Sequence, residues 1–264
     1  MDDEISRYNR TRWAALVAAD AVFTRPNLDL TPATAQAWID PARRWGDLHD
    51  QAVCCLATGG GQQGPAFALL GAQVTVVDLS PEQLAQDTRA ARHYGVPLQT
   101  LVADMRDLHA LPTAGFDLVW QAYALNFVPD ARVVFEQVAR LLRPQGYYHF
   151  HVANPFALGV QAGDWTGSGY PLRDPYRNGA QIPTSDPTWV YGTGAPDQPA
   201  IPPPREYRHT LTQLINGLTA AGFTLLALDD QIDAPADPTA TPGTWAHFTA
   251  ILPPWFALTA RRNP

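Results

Sequence analysis

The stretch VCCLATGGGQQG, residues 53–64, holds glycines in the spacing Gly59-x-Gly61-x-x-Gly64. Glycine is needed where a strand turns sharply into a helix and a ligand must come close to the backbone. Asp78 closes the next apolar run, QVTVVD. An acid at that place can accept hydrogen bonds from both hydroxyls of a ribose. The helix start beyond the glycines favours a negative group, such as a pyrophosphate or an amino-acid carboxylate. Loop and acid together point to a cofactor that carries a nucleoside.

Other residues suit proton transfer or acceptor binding. His149 and His151 alternate along an apolar run and so share one face. His209 stands at the start of a late helical segment. Imidazole is the side chain best suited to take a proton near neutral pH, which makes His151 and His209 the candidate bases. Gln121, Tyr123 and Asn126 come at and after the run FDLVWQ, and Asn154 follows the histidine pair. No metal centre is expected. Asn126, Asp130 and Asn154 are scattered, and Cys54 and Cys55, the only cysteines, have no histidine cluster beside them. Adjacent cysteines rarely pair. Both read as reduced core residues of a cytoplasmic protein.

These residues need a scaffold of alternating strands and helices. The spacing predicts strands at 53–57, 73–78, 98–102, 116–121 and 147–152, with helices at 65–70, 80–93 and 131–142. Ser80-Pro81-Glu82 is a helix start: a hydroxyl cap, a proline at the first position and an acid in the first turn. Such alternation makes a parallel sheet with helices on both faces, and the C-terminal strand ends face the ligand crevice. A helix at 209–221, stopped by Gly222, and strands at 223–228 and 256–261 follow, the two strands separated by a polar loop with several prolines. Residues 1–50 form a helical extension, with Trp13, Leu16 and Val17 at helical spacing and Thr31-Pro32 opening a second helix. Residues 154–205 break the pattern. They are rich in proline, glycine and aromatics (Trp165, Tyr170, Tyr176, Trp189, Tyr191), which reads as an inserted cap or lid, with a disordered insertion as the alternative that the aromatics disfavour. The aromatics fit the cap's own small core better than a cage for an amine or flat substrate.

Over residues 50–153 and 207–262 the chain resembles the class I S-adenosylmethionine-dependent methyltransferases. The residues that carry the likeness are Ala103-Asp104-Met105 after strand three, FDLVWQAYALNFVPD and VARLLRPQGYYHF. CLATGGGQQGPAFALLGAQVTVVDLSPEQLAQD resembles a bacterial type-11-like subgroup, as do Tyr8-Asn9, Trp13 and His209-Thr210-Leu211. The resemblance implies an α/β fold with a Rossmann-like seven-stranded sheet in the order 3-2-1-4-5-7-6. The methyltransferase domain would be 51–264, carrying 154–205 as its cap. It implies S-adenosyl-L-methionine as cofactor. Ala57, Gly59, Gly60, Gly61, Gln62 and Gln63 would contact it from the loop. Asp78 and Leu79 would do so from strand two, Asp104 and Met105 from strand three, and Gln121 from strand four. Tyr8 and Trp13 would contact it from the N-terminal segment. Cys55 and Ala57 depart from the family, which places an acid and a glycine there. The amides of Gln62 and Gln63, or the Ala57 carbonyl, would then hold the methionine amino group. Methyl transfer is an in-line displacement at carbon that rests on proximity, orientation and exclusion of water, so no nucleophilic side chain is needed.

Loop and acid alone also fit a nucleotide-dependent oxidoreductase. Such an enzyme would want a pair such as Tyr-x-x-x-Lys, and the chain has no lysine. The missing motif acid keeps open a non-catalytic cofactor-binding protein. A net charge of -7, with no basic cluster larger than Arg261-Arg262, disfavours nucleic acid and an anionic membrane surface. No apolar run is long enough to span a membrane, and the start MDDEISRYNR lacks the apolar core of a secretory signal. The expected partner is a small-molecule substrate; nothing in the sequence specifies an oligomeric state.

Overall fold

A computed structural model describes residues 2–183, 201–230 and 234–264 of the chain. Two capped helices come first. In α1 (Glu4–Ala18) Asp3 and Ser6 form a reciprocal capping box, and α2 (Pro32–Ile39) starts on Thr31 with Pro32 in its first turn. These caps satisfy N–H groups that every helix start leaves bare. Alternation follows: β1 (Ala52–Leu56), α3 (Gln63–Leu69), β2 (Gln73–Asp78), α4 (Pro81–Tyr94), β3 (Gln99–Val102), β4 (Phe116–Gln121), α5 (Ala131–Leu141) and β5 (Leu142–Ala153). Ser80 caps α4 as its sequence suggests, and Gly95 ends it in the left-handed conformation. The rest is β6 (Gln181–Pro183), β7 (Arg205–Tyr207), α6 (Leu211–Ala220), β8 (Phe223–Asp229), α7 (Trp245–Ile251) and β9 (Trp255–Arg262).

The large sheet runs β3-β2-β1-β4-β5-β9-β8. Counting only its own strands, this is the expected order 3-2-1-4-5-7-6. The first five pair in parallel, and β9 lies antiparallel between β5 and β8. Alternation along β1 sends Cys54 and Leu56 to one face and Val53 and Cys55 to the other. The first face buries Val134, Phe135, Val138 and Leu141 of α5 with Leu214 and Leu218 of α6. The second buries Ala35 and Ile39 of α2, Phe67 of α3, Leu84 of α4, and Trp45. Each such large side chain contributes about 1.5–3 kcal/mol by leaving water. The two cysteines are free thiols, fully buried on opposite faces.

Outside the cap, two elements differ most from the sequence expectation. β5 begins at Leu142, before the expected start, because residues 142–146 continue the strand through a register shift against β4. Helix α7 occupies part of the stretch that reads as a polar loop. Seven residues are too few to display a helical period, but Thr244 caps it.

Of the cap, residues 154–183 and 201–205 are described. β6 and β7 pair antiparallel, and Leu158, Ala180 and Ile182 form a small core with Ala153. The buried Arg208 fastens the cap by donating to the carbonyls of Asp174, Pro175 and Leu158 at 2.8, 2.6 and 2.6 Å. Trp165 and Tyr170 pack on His247 and Phe248 of α7, with ring centroids 4.9 and 5.1 Å apart. They join cap to domain. Trp189 and Tyr191 lie outside the described residues. Among the described residues no helix is long and apolar enough to cross a membrane.

Candidate functional site

Strand order reverses between β1 and β4, and open α/β sheets take ligands outside the carboxyl ends of the strands at such a reversal. A cavity of about 1730 Å³ lies there. Its wall takes Ala57 and Gly59 after β1, Asp78 and Leu79 from the end of β2, and Asp104 and Met105 after β3. Tyr123 follows β4, His149 and His151 belong to β5, and Gln62, Gln63 and Trp13 complete the expected residues that reach it.

The glycine turn is fixed by close approaches. A Cβ on Gly59 would sit 2.5 Å from Gln83 Cβ and 2.8 Å from Asp78 Oδ2, which no side chain could tolerate. Asp78 Oδ2 accepts the Gly59 N–H at 2.9 Å, and Oδ1 accepts the Ser80 N–H at 2.9 Å. Burial raises the Asp78 carboxyl to about 6, against the lowering effect of these backbone bonds. Gly60 and Gly61 support the turn rather than line the cavity. The Gly60 N–H donates to Asp87 Oδ2 at 3.0 Å, and a Cβ on Gly61 would meet the Gln86 carbonyl at 2.6 Å. Asp87, fully buried in α4, is raised to about 8, chiefly by burial. Sequence reading missed it; the available signal is its helical spacing from Leu84 and Ala91 on the buried face.

The departures from the family pattern have clear structural outcomes. Ala57 adopts a left-handed φ of 51°, the conformation a glycine would take without strain. Cys55 packs in the core against the helices, away from the cavity, and burial raises its thiol well above the usual value. Gln62 lines the cavity while its amide donates to the Arg25 carbonyl at 3.0 Å.

Asp104 is committed to an ion pair. Arg106 Nη2 donates to its Oδ2 at 2.6 Å, and the same guanidinium reaches Asp3 at 2.8 and 2.9 Å. Hydrogen bonding from Arg106 holds Asp3 well below the usual carboxylate range. The cap residue of α1 is thereby tied to the end of β3, a link that no local pattern announces. Gln121 stands behind the wall, accepting from the Tyr148 hydroxyl and donating to Met105 Sδ at 3.3 Å. Tyr8 lies outside the cavity; its hydroxyl donates to the Pro203 carbonyl at 2.7 Å, and Arg205 covers its ring at 3.7 Å.

The acceptor candidates separate. Tyr123 donates to Glu206 Oε1 of β7 at 2.7 Å, and both line the cavity. Glu206 has no sequence signal. Asn126 is structural, donating to the Tyr207 carbonyl at 3.0 Å and accepting the Ala153 N–H at 2.8 Å. Asn154 holds the Pro253 carbonyl at 2.7 Å. His149 and His151 meet Nε2 to Nε2 at 3.3 Å, and His149 Nδ1 meets Thr259 Oγ1 at 2.9 Å. Burial lowers His149 to about 3 and His151 to about 4, so both are neutral near pH 7. His209 stands apart from the other candidates. It lies away from the cavity, with Nδ1 against Gln213 Oε1 at 2.8 Å and Nε2 against the Leu125 carbonyl at 2.9 Å. Burial lowers its pKa, and both ring nitrogens are occupied by the scaffold.

Residues 54–150 match the family described as methyltransferase domain. The uncharacterized methyltransferase YbaJ of Bacillus subtilis (strain 168) is 39% identical over 103 residues, 39% of this chain and 40% of that protein. The ubiquinone biosynthesis O-methyltransferase of Xanthomonas oryzae pv. oryzae (strain PXO99A) is 35% identical over 127 residues, 45% of this chain and 52% of that protein. The chain thus spans about half the length, or less, of these curated relatives. Among solved structures, an S-adenosylmethionine dependent methyltransferase from Mesorhizobium loti shares the fold, with a TM-score of 0.60 at 24% identity over 89% of this chain and 100% of that one.

Proposed function

We propose, from the premise that this chain carries a methyltransferase domain over residues 54–150 on a class I methyltransferase fold, that it transfers a methyl group from S-adenosylmethionine to a small molecule. The observation that carries this reading is the Gly59 turn, locked against the Asp78 carboxylate at the edge of one large cavity. The cavity also fits the cofactor in its unmet valences. Among the described residues Gln83 Oε1, on a residue of its wall, is buried with no hydrogen-bond partner, an acceptor that a ligand donor would satisfy.

When bound, the cofactor supplies a methyl group already activated on a sulfonium. Asp78 would take the ribose hydroxyls, while Leu79, Asp104 and Met105 would enclose the base. Ala57, through its carbonyl, and Gln63 would receive the methionine end. Gly60, Gly61 and Gln121 act one layer back by fixing the turn and the Met105 thioether. Trp13 from α1, and Tyr8 by strapping α1 to the segment that leads into β7, would keep water from the reacting atoms. Tyr123 and His151 face the acceptor side and can orient it or take a proton. The buried free thiols fit a reducing compartment, and we place the protein in the cytoplasm.

Calorimetric titration of the cofactor-stripped protein tests the reading. S-adenosylmethionine and S-adenosylhomocysteine should bind at micromolar concentrations, NAD and NADP should not, and Asp78→Ala should abolish the binding. Binding of NAD or NADP alone would overturn it.

A further inference from the structure

Register places a second group of residues on one face of the sheet, at the far end of the same cavity. Trp120 of β4 pairs with His149 of β5, and His149 pairs with Thr259 of β9. One step further out, His151 pairs with Ala257, and beyond that Ala153 pairs with Trp255. Paired residues project from the same face. Ala257, and Ala122 just past β4, are therefore small residues beside the His151 imidazole, and all three line the cavity. The result is a recess over His151.

Its walls are aromatic. Trp45 and Trp120 stand against the histidines, with Trp45–His149 and Trp120–His151 centroids each 5.4 Å apart. Trp245 of α7 and Trp255 also line the cavity, as a tilted pair at 5.9 Å. Of the nearby charges, Asp230 stands exposed on the cavity wall and the others are engaged. Asp229 is bound by Arg44 at 2.9 Å, and Asp40 accepts the backbone N–H groups of Arg44 and Trp45 at 2.7 and 3.2 Å. The imidazoles are neutral near pH 7. His149 is engaged at both ring nitrogens, whereas His151 joins the pair through Nε2 and, among the described residues, keeps Nδ1 for a ligand.

We propose that this recess is the acceptor compartment, and that it takes an uncharged, flat aromatic compound whose hydroxyl hydrogen-bonds to His151. The tryptophans supply ring contacts and apolar area. A carboxylate would find Arg44 already paired with Asp229 and would lose its hydration. The assignment of the recess as acceptor compartment rests on the methyltransferase reading; its ligand chemistry does not.

Equilibrium dialysis of the full chain at pH 7.5, without cofactor, tests it with 2-naphthol, naphthalene and 2-naphthoate. The expected result is at least tenfold tighter binding of 2-naphthol than of the other two. His151→Phe should remove the preference for 2-naphthol over naphthalene while leaving naphthalene bound. Ala257→Leu, which fills the recess and leaves the imidazole in place, should weaken 2-naphthol at least tenfold. Equal binding of the three compounds, a preference for 2-naphthoate, or 2-naphthol affinity unchanged in both variants would overturn the proposal. S-adenosylhomocysteine is titrated into the same samples. Its binding without 2-naphthol binding overturns the compartment alone; 2-naphthol binding without it overturns the methyltransferase reading alone.

Discussion

Asp87 accepts the Gly60 N–H at 3.0 Å from beneath the glycine turn, where it is fully buried. Burial raises this carboxyl from 3.8 to about 8, so folding favours its protonated form. The associated stability is complete below about pH 4 and is lost as pH rises through about 8. Asn would keep the acceptor for Gly60 without the charge. Asp87→Asn should therefore gain stability relative to the parent chain between pH 5 and 9, by on the order of 4 kcal/mol at the upper end. Urea unfolding at both pH values reads this, and parallel curves for the two proteins would refute it.

The turn itself separates two substitutions that look alike. Gly59→Ala puts a methyl 2.8 Å from Asp78 Oδ2 and should cost at least tenfold in S-adenosylhomocysteine affinity. Ala57→Gly relaxes a left-handed residue with φ 51° and should leave affinity unchanged or improved, with stability altered by less than about 1 kcal/mol. Calorimetry and thermal unfolding on both variants check the contrast.

Arg106 joins Asp104 to Asp3. Asp3→Ala loses both the helix cap and the outer ion pair and should destabilise by about 1–2 kcal/mol. Hydrogen exchange in α1 should rise first. Arg106→Ala strands the Asp104 carboxylate, whose side chain is only 5% exposed, and should cost more, about 3–5 kcal/mol. An Asp3→Ala variant with unchanged α1 protection would show that the bridge does not hold the helix.

The two ring nitrogens of His209 lie against the Leu125 carbonyl and Gln213 Oε1, and the neutral ring donates to one of them. His209→Ala should lower the melting temperature, because it leaves buried polar groups unpaired at about 1–3 kcal/mol. Affinity of the folded protein for S-adenosylhomocysteine should not change. A selective loss of turnover with normal stability would restore it as a base.

The local signals in this chain are strong where one segment answers to itself. Ser80-Pro81, the Gly59 turn and the alternation of apolar runs each encode their own geometry, so the β/α order, the sheet topology and the Asp78 position were legible. The short helix α7 and the early start of β5 were not, since one lacks a period and the other depends on a register shift.

The sequence by itself determined the scaffold and the loop that the proposed cofactor would meet, because strand alternation, caps and glycine turns act over a few residues. Only the tertiary structure decided which polar groups meet across long separations. Glu206 comes to Tyr123, Arg106 to Asp3 and Thr259 to His149 through sheet register and cap docking. The same packing took His209 away from the cavity. Burial then set the protonation of Asp87 and the histidine pair, and burial is a property of the whole fold rather than of any segment.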